Sequence, residues 1–233
     1  MSEPEPLALV TGASSGLGAE LALSLARRGC RVVAVGRDHA RLSAVAERAD
    51  GRVEPVTVAD LGVGRDADAL ICDISSRGPI EYLIYAAGSP AFSSVADIDD
   101  AMLDNALAGN LRGLIHLSAR VVGPMKRRGS GAIVGILSTA ALTGRADEGA
   151  YAAAKWGARG YLECLRADCK GSGVRVISVF PGGMNTPFWS KQSHLSPKLE
   201  TYMNAAMVAE PIVSTVLAED AIGYTSTLTI ERK

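Results

Sequence analysis

The chain has 233 residues, of which 48% are hydrophobic and 21% charged, with a formal net charge of -1. This is ordinary composition for a water-soluble globular protein, and the near-neutral charge argues against a nucleic-acid or anionic-membrane surface. The length suits one α/β domain covering residues 1–233 better than two domains.

The opening run Met1-Ser2-Glu3-Pro4-Glu5-Pro6 is acidic and broken by proline, unlike a signal peptide with its basic start and cleavage site. The longest apolar stretch, Ala132 to Leu142, is too short to cross a bilayer. Cys30, Cys72, Cys164 and Cys169 form no CxxC pair and read as small apolar core residues in a reducing compartment, the cytoplasm. His39, His116 and His194 have no ligand spacing, so no metal is expected.

Leu7-Ala8-Leu9-Val10 reads as a buried strand. Leu17, Leu21 and Leu25 recur at helical spacing, which turns Glu20, Ser24 and Arg28 outward, and Gly29 follows as a C-terminal cap. Arg31 to Val35 is the second strand and Ala40 to Ala49 the second helix. Arg52 to Val58 reads as a strand containing Pro55, which belongs at a sheet edge because proline cannot donate to a ladder. Tyr82 to Ala86, Ala132 to Leu137 and Val174 to Phe180 are further strands, separated by helices around Asp99 to Val122 and Ala150 to Lys170. A helix near Glu210 to Ala218 and a threonine-rich strand, Tyr224 to Ile230, close the chain. This alternation predicts a doubly wound, Rossmann-like parallel sheet of about seven strands, with helices on both faces.

Between the first strand and the first helix lies Thr11-Gly12-Ala13-Ser14-Ser15-Gly16-Leu17-Gly18. Glycines there allow a tight turn and close approach of a pyrophosphate at the positive end of the helix dipole. Gly12, Ser14, Ser15, Gly16, Leu17 and Gly18 are thus a candidate dinucleotide cradle, although such turns also serve packing alone. The second strand ends Ala34-Val35-Gly36-Arg37-Asp38. At this place an acidic residue holds a ribose 2′-hydroxyl, whereas an arginine accommodates a 2′-phosphate. Arg37 therefore favours NADP(H) over NAD(H), with Asp38 the competing partner for the hydroxyl and a solvated loop the plain alternative.

Tyr151 and Lys155 stand four apart on one helix and can act on the same bound molecule. A free phenol and a free ammonium titrate near ~10 and ~10.4, so neither is a ready base at neutral pH. A neighbouring ammonium and a positive nicotinamide ring would lower the tyrosine's pKa. Tyr151 could then take an alcohol proton in oxidation, or return it to a carbonyl oxygen in reduction, with Lys155 on the nicotinamide ribose. The pair alone is weak, because YxxxK occurs by chance in many helices. Pro181-Gly182-Gly183-Met184-Asn185-Thr186, leaving a strand, is by itself a common turn.

Taken together, GxxxGxG, YxxxK and PGxxxT, in this order and spacing, resemble the short-chain dehydrogenase/reductase family in its compact single-domain branch, from about Leu7 to Ile230. The resemblance implies an NADP(H)-dependent oxidoreductase that interconverts a carbonyl and an alcohol. It makes Ser138, thirteen residues before Tyr151, a donor to the substrate oxygen, with Thr139 the alternative hydroxyl. Asn110 matches the asparagine that orients a water against the catalytic lysine, and Asp60-Leu61 the adenine-contacting pair. Pro181, Gly182 and Thr186 would meet the nicotinamide. Gly36 stands where NAD-preferring members carry Asp. Tyr85-Ala86-Ala87-Gly88 occupies the place of the family's NNAG, so the asparagines' hydrogen bonds to neighbouring strands must be replaced or lost, while Ala87 and Gly88 still approach the cofactor.

The segment Pro187 to Met207 reads as a lid carrying Phe188, Trp189 and Tyr202; with Phe92 it suggests an apolar or aromatic small-molecule substrate. The helix from Tyr151 to Asp168 is apolar on more than one face. In the family this helix and the preceding long one pair with their copies in a second subunit, which implies a homodimer; the lack of a DGG-like tail leaves a tetramer in doubt. A catalytically silent NADP(H)-binding redox sensor is the competing reading. A sensor has no need for Ser138, Tyr151 and Lys155.

Overall fold

The computed structural model describes residues 5–191, 199–218 and 223–233. Its main sheet has seven parallel strands: β1 (Leu7–Thr11), β2 (Arg31–Gly36), β3 (Val53–Thr57), β4 (Ile80–Tyr85), β5 (Ala132–Ile136), β6 (Arg175–Pro181) and β9 (Thr227–Ile230). They lie in the order β3-β2-β1-β4-β5-β6-β9. The expected Rossmann-like doubly wound sheet is therefore the observed one, and β3, with Pro55 opposite Ala34, is an edge strand.

Alternation along the strands supplies both faces. Ala8 and Val10 of β1 point into one core with α1 (Gly16–Arg27), α2 (His39–Ala46) and α7 (Ala205–Leu217). Leu7 and Leu9 point into the other with α3 (Gly64–Ser75), α5 (Gly113–Arg128) and α6 (Gly149–Asp168). Gly135 in β5 lets α6 lie close: a Cβ there would come 2.4 Å from Leu162 Cδ1. The short strands β7 (Met184–Asn185) and β8 (Met203–Asn204) form a separate parallel pair beside the cleft.

Several expectations need correction. Helix α3, which buries Ala67, Leu70 and Ile74, had not been anticipated. The continuous helix expected over Asp99 to Val122 is instead α4 (Asp100–Leu107), a π-turn over Ala108–Arg112 and α5, which runs on through Pro124 to Arg128. Ser24 is buried, not outward, because its hydroxyl donates to Glu210 of α7 at 2.9 Å. Cys30 and Cys169 are buried as expected, but Cys72 and Cys164 are exposed. The expected lid overlaps α7, which already begins at Ala205; its residues 192–198, His194 among them, lie outside the described residues. Among the described residues no helix is long and apolar enough to cross a membrane, and no His/Cys/Asp/Glu group could hold a metal.

Candidate active site

The order of strands reverses between β1 and β4, and ligands in open α/β sheets bind at such a switch point, outside the carboxyl ends of the strands. A cleft of about 1500 Å³ opens there.

Its floor is the β1–α1 turn. Gly12 has φ +67, and a Cβ on it would lie 2.6 Å from the Ala86 carbonyl oxygen. A Cβ on Gly18 would fall 2.3 Å from the Gly12 carbonyl oxygen, so α1 can approach the turn only as glycine. Gly12, Ser14, Ser15, Leu17 and Gly18 line the cleft. Gly16 stands behind them, facing Thr186 with φ +56. Ser15 is the N-cap of α1 in extended conformation and makes no side-chain cap. The first N–H groups of α1 are thus left to an anion.

At the end of β2, Asp38 accepts from the Arg41 backbone N–H at 3.1 Å and pairs with the Arg41 guanidinium. Asp38 is thereby committed to capping α2, whereas Arg37 is exposed on the rim of the cleft. Asp60 closes a local turn by accepting from Gly62 N at 2.8 Å, and it lines the cleft with Leu61.

Where the asparagines of NNAG are missing, other bonds hold the corner. The Thr11 hydroxyl accepts from the N–H groups of Ala86 and Ala87 at 3.2 and 3.1 Å, joining β1 to the end of β4. The Tyr85 hydroxyl donates to the Gly109 carbonyl at 2.8 Å. Ala87 and Gly88 border the cleft, as do Pro181, Gly182 and Thr186 beyond β6.

Opposite this floor stand Asn110, Ser138, Tyr151 and Lys155, all on the cleft wall. Asn110 is 1% exposed; its amide nitrogen donates to the carbonyls of Ser89 and Ala106, both at 2.9 Å, and its Oδ1 has no partner. A Cβ on Gly88 would be 2.7 Å from that oxygen and 3.7 Å from Lys155 Nζ, so both groups converge on the same glycine. Lys155 Nζ donates to the Ile136 carbonyl at 3.0 Å. Ser138 caps the turn after β5 by accepting from Ala140 N at 3.1 Å, and it shares the cleft wall with Tyr151.

Burial pushes the Tyr151 phenol well above its usual range; the Ser138 hydroxyl opposes this, Glu148 adds to it and Arg145 opposes it. Burial also pulls Lys155 down to about 8. Desolvation therefore works against the lowering expected from Lys155 together with a positive nicotinamide ring.

An aromatic wall completes the cleft. Phe92 stacks on Trp189 with centroids 5.5 Å apart and meets the edge of Tyr151 at 5.2 Å. Phe188 packs against Phe92, Tyr151 and Trp189, while Trp189 meets Tyr202 and donates to the Met184 carbonyl at 3.0 Å. Two charged groups here went unread in the sequence. Arg145 donates to Thr139 Oγ1 at 3.1 Å, and Glu148, half-buried, is raised by desolvation against the pull of Arg145. Both lie in the β5–α6 loop, and their only signal was nearness to Tyr151.

Residues 6–196 match the family model for short chain dehydrogenase. An oxidoreductase of Myxococcus xanthus is 33% identical over 88% of this chain and 83% of its own. A sepiapterin reductase of Chlorobaculum tepidum is 30% identical over 90% of this chain and 89% of its own. The crystal structure of an F189W variant of actinorhodin polyketide ketoreductase with NADPH superposes with a TM-score of 0.89 at 27% identity, covering 98% of this chain and 96% of the other. A model matched over most of the chain, and relatives matched nearly end to end, place the protein in the short-chain dehydrogenase family of oxidoreductases.

Proposed function

We propose that the protein is an NADP(H)-dependent carbonyl reductase or alcohol dehydrogenase, acting as a single catalytic domain with Tyr151 as proton donor and acceptor. The observation that carries this reading is the convergence of Lys155 and the unpartnered, buried Asn110 oxygen beside Gly88, on a cleft wall shared with Tyr151 and Ser138.

The residues present fit the cofactor. Gly12 and Gly18 let the β1–α1 turn close tightly on backbone that any Cβ would strike, and the turn carries the α1 N-terminus to the cleft. Arg37 and Arg41 supply positive charge where a 2′-phosphate would sit, and Asp38 is occupied by Arg41. The ketoreductase relative was solved with NADPH.

When bound, NADPH supplies a hydride to the carbonyl carbon, and NADP⁺ accepts one from the alcohol. In reduction, Ser138 donates to the carbonyl oxygen and Tyr151 delivers the proton that balances the charge. The raised phenol keeps that proton available at neutral pH. The resulting phenolate is steadied by Ser138 and by Lys155 in its ammonium form. Lys155 near 8 exchanges protons readily close to neutrality, and Asn110 Oδ1 offers an acceptor for the group that resupplies it. In oxidation the same groups run in reverse, so Tyr151 must first lose its proton. The aromatic wall supports an apolar or aromatic substrate.

The test is a panel of ketones and aldehydes followed at the NADPH absorbance band. Tyr151→Phe should lower kcat by about 10²–10⁴-fold. A variant as fast as wild type would sink the assignment of Tyr151, whereas a wild-type protein that binds NADPH and turns over no carbonyl of the panel would favour a redox sensor.

We further propose a homodimer in the cytoplasm. Trp156, 46% exposed, stands on the outer face of α6 with the exposed Gly157 and Gly160, a flat surface suited to a second copy. The four free cysteines support a reducing compartment. A monomer by light scattering at micromolar concentration, or recovery only from an extracytoplasmic fraction, would count against these two proposals.

A further inference from the structure

The π-turn Ala108–Arg112 inserts one extra residue into what would otherwise be a single helix. Its wide hydrogen bond runs from Gly113 N–H to the Ala108 carbonyl. The next carbonyl, Gly109, accepts from Tyr85, the last residue of β4, at 2.8 Å. Tyr85 is 2% exposed, and burial holds its phenol far above the usual range, so it remains a donor. The fit is reciprocal: a Cβ on Gly113 would fall 2.2 Å from the Tyr85 hydroxyl, so the phenol reaches the turn only because residue 113 is glycine.

Asn110 is the residue after Gly109. Its amide nitrogen is already committed to Ser89 and Ala106, so the direction of its oxygen follows the backbone of the turn. We infer that Tyr85 is a positioning residue: its hydroxyl, seated against Gly113, holds the π-turn in the conformation that aims Asn110 Oδ1 beside Lys155. This rests on the proposed carbonyl–alcohol chemistry. It also gives Tyr85 a task unlike a strand-to-strand tie, because the bond crosses from the sheet to a helix.

The experiment uses Tyr85→Phe, which removes the hydroxyl and keeps the ring. Amide hydrogen exchange of residues 108–114, read without turnover, should quicken by about tenfold, the weight of one buried hydrogen bond. Exchange in β4 and NADPH affinity should stay within about twofold. With a substrate from the panel, kcat should fall by about tenfold at unchanged KM. In an Asn110→Ala background the same substitution should cost nothing further, because the two residues act in series. Should Tyr85→Phe fail to fold, Gly113→Ala reads the same contact from the helix side, with the same expected signs. Unchanged exchange at 108–114, or losses in kcat that add fully to those of Asn110→Ala, would overturn the inference. Failure of the wild-type protein to turn over any carbonyl overturns the proposed chemistry instead, and leaves the exchange measurement to decide Tyr85.

Discussion

At the proposed cofactor end of the cleft the walls are largely backbone. A Cβ on Gly12 or Gly18 would lie 2.6 or 2.3 Å from a backbone carbonyl oxygen, and Thr11 ties the turn to the next strand. At the substrate end the walls are side chains, with Phe92, Phe188, Trp189 and Tyr202 packed on one another. Backbone walls are fixed by the sheet and tolerate no added atom. Side-chain walls can change by rotamer and by substitution, so a fold can keep one ligand while its other ligand varies. Tyr151 and Lys155 stand at the seam between the two.

That contrast can be broken by experiment. Gly12→Ala places a Cβ 2.6 Å from the Ala86 carbonyl oxygen at φ +67. It should cost about 2–3 kcal/mol by chemical denaturation and reduce cofactor binding as well. Full stability would mean that the floor yields more than its geometry suggests. Arg37→Ala should weaken NADPH by about 10–30-fold, the weight of one charge-assisted contact, and NADH by less than about twofold. Equal losses for both would remove Arg37 from the 2′-phosphate. Trp189→Ala should change KM for bulky apolar ketones by about tenfold while leaving NADPH affinity unaltered; a matching loss of cofactor affinity would show that the two ends are not separable.

A further effect is electrostatic. Lys155 is lowered from 10.5 to about 8 by burial, so in this window the unfolded chain binds a proton that the native protein does not. Stability should therefore rise with pH between about 8 and 10.5, by up to ~1.4 kcal/mol per unit, and the contribution is lost as pH falls through 8. Lys155→Met should flatten that part of the profile relative to wild type. Parallel profiles would show that the amine is not desolvated as described.

How much of this was legible depended on where each signal lay. The sheet and its order of elements followed from apolar runs, and β3 was placed at the edge by Pro55 alone. The glycine turn, Arg37 and the Tyr151–Lys155 pair came from the residues themselves and the other cleft residues from the family resemblance, and all of those expected line the cleft except Gly16, which faces Thr186. What escaped was set by distant partners. Ser24 sits at an outward helical position yet is buried, because Glu210 meets it from 186 residues away. The π-turn leaves no mark in the apolar period around Asn110, since its cause is a hydroxyl on another strand. Helix α3 presents only three buried apolar residues among charged ones, too few to stand out in a window.

The cysteines have a practical consequence. Cys72 is exposed, and so within a single chain is Cys164, on the α6 face proposed to meet a second copy, whereas Cys30 belongs to the core beneath α1 and α7 and Cys169 to the core beneath α5 and α6. Burial raises both hidden thiols, Cys30 up to about 11, which slows their alkylation further. An alkylating probe would mark a native monomer twice at once, and a dimer covered along α6 at Cys72 first. The third and fourth marks would then act as separate clocks for the opening of the two layers, read from the natural sequence with no residue changed.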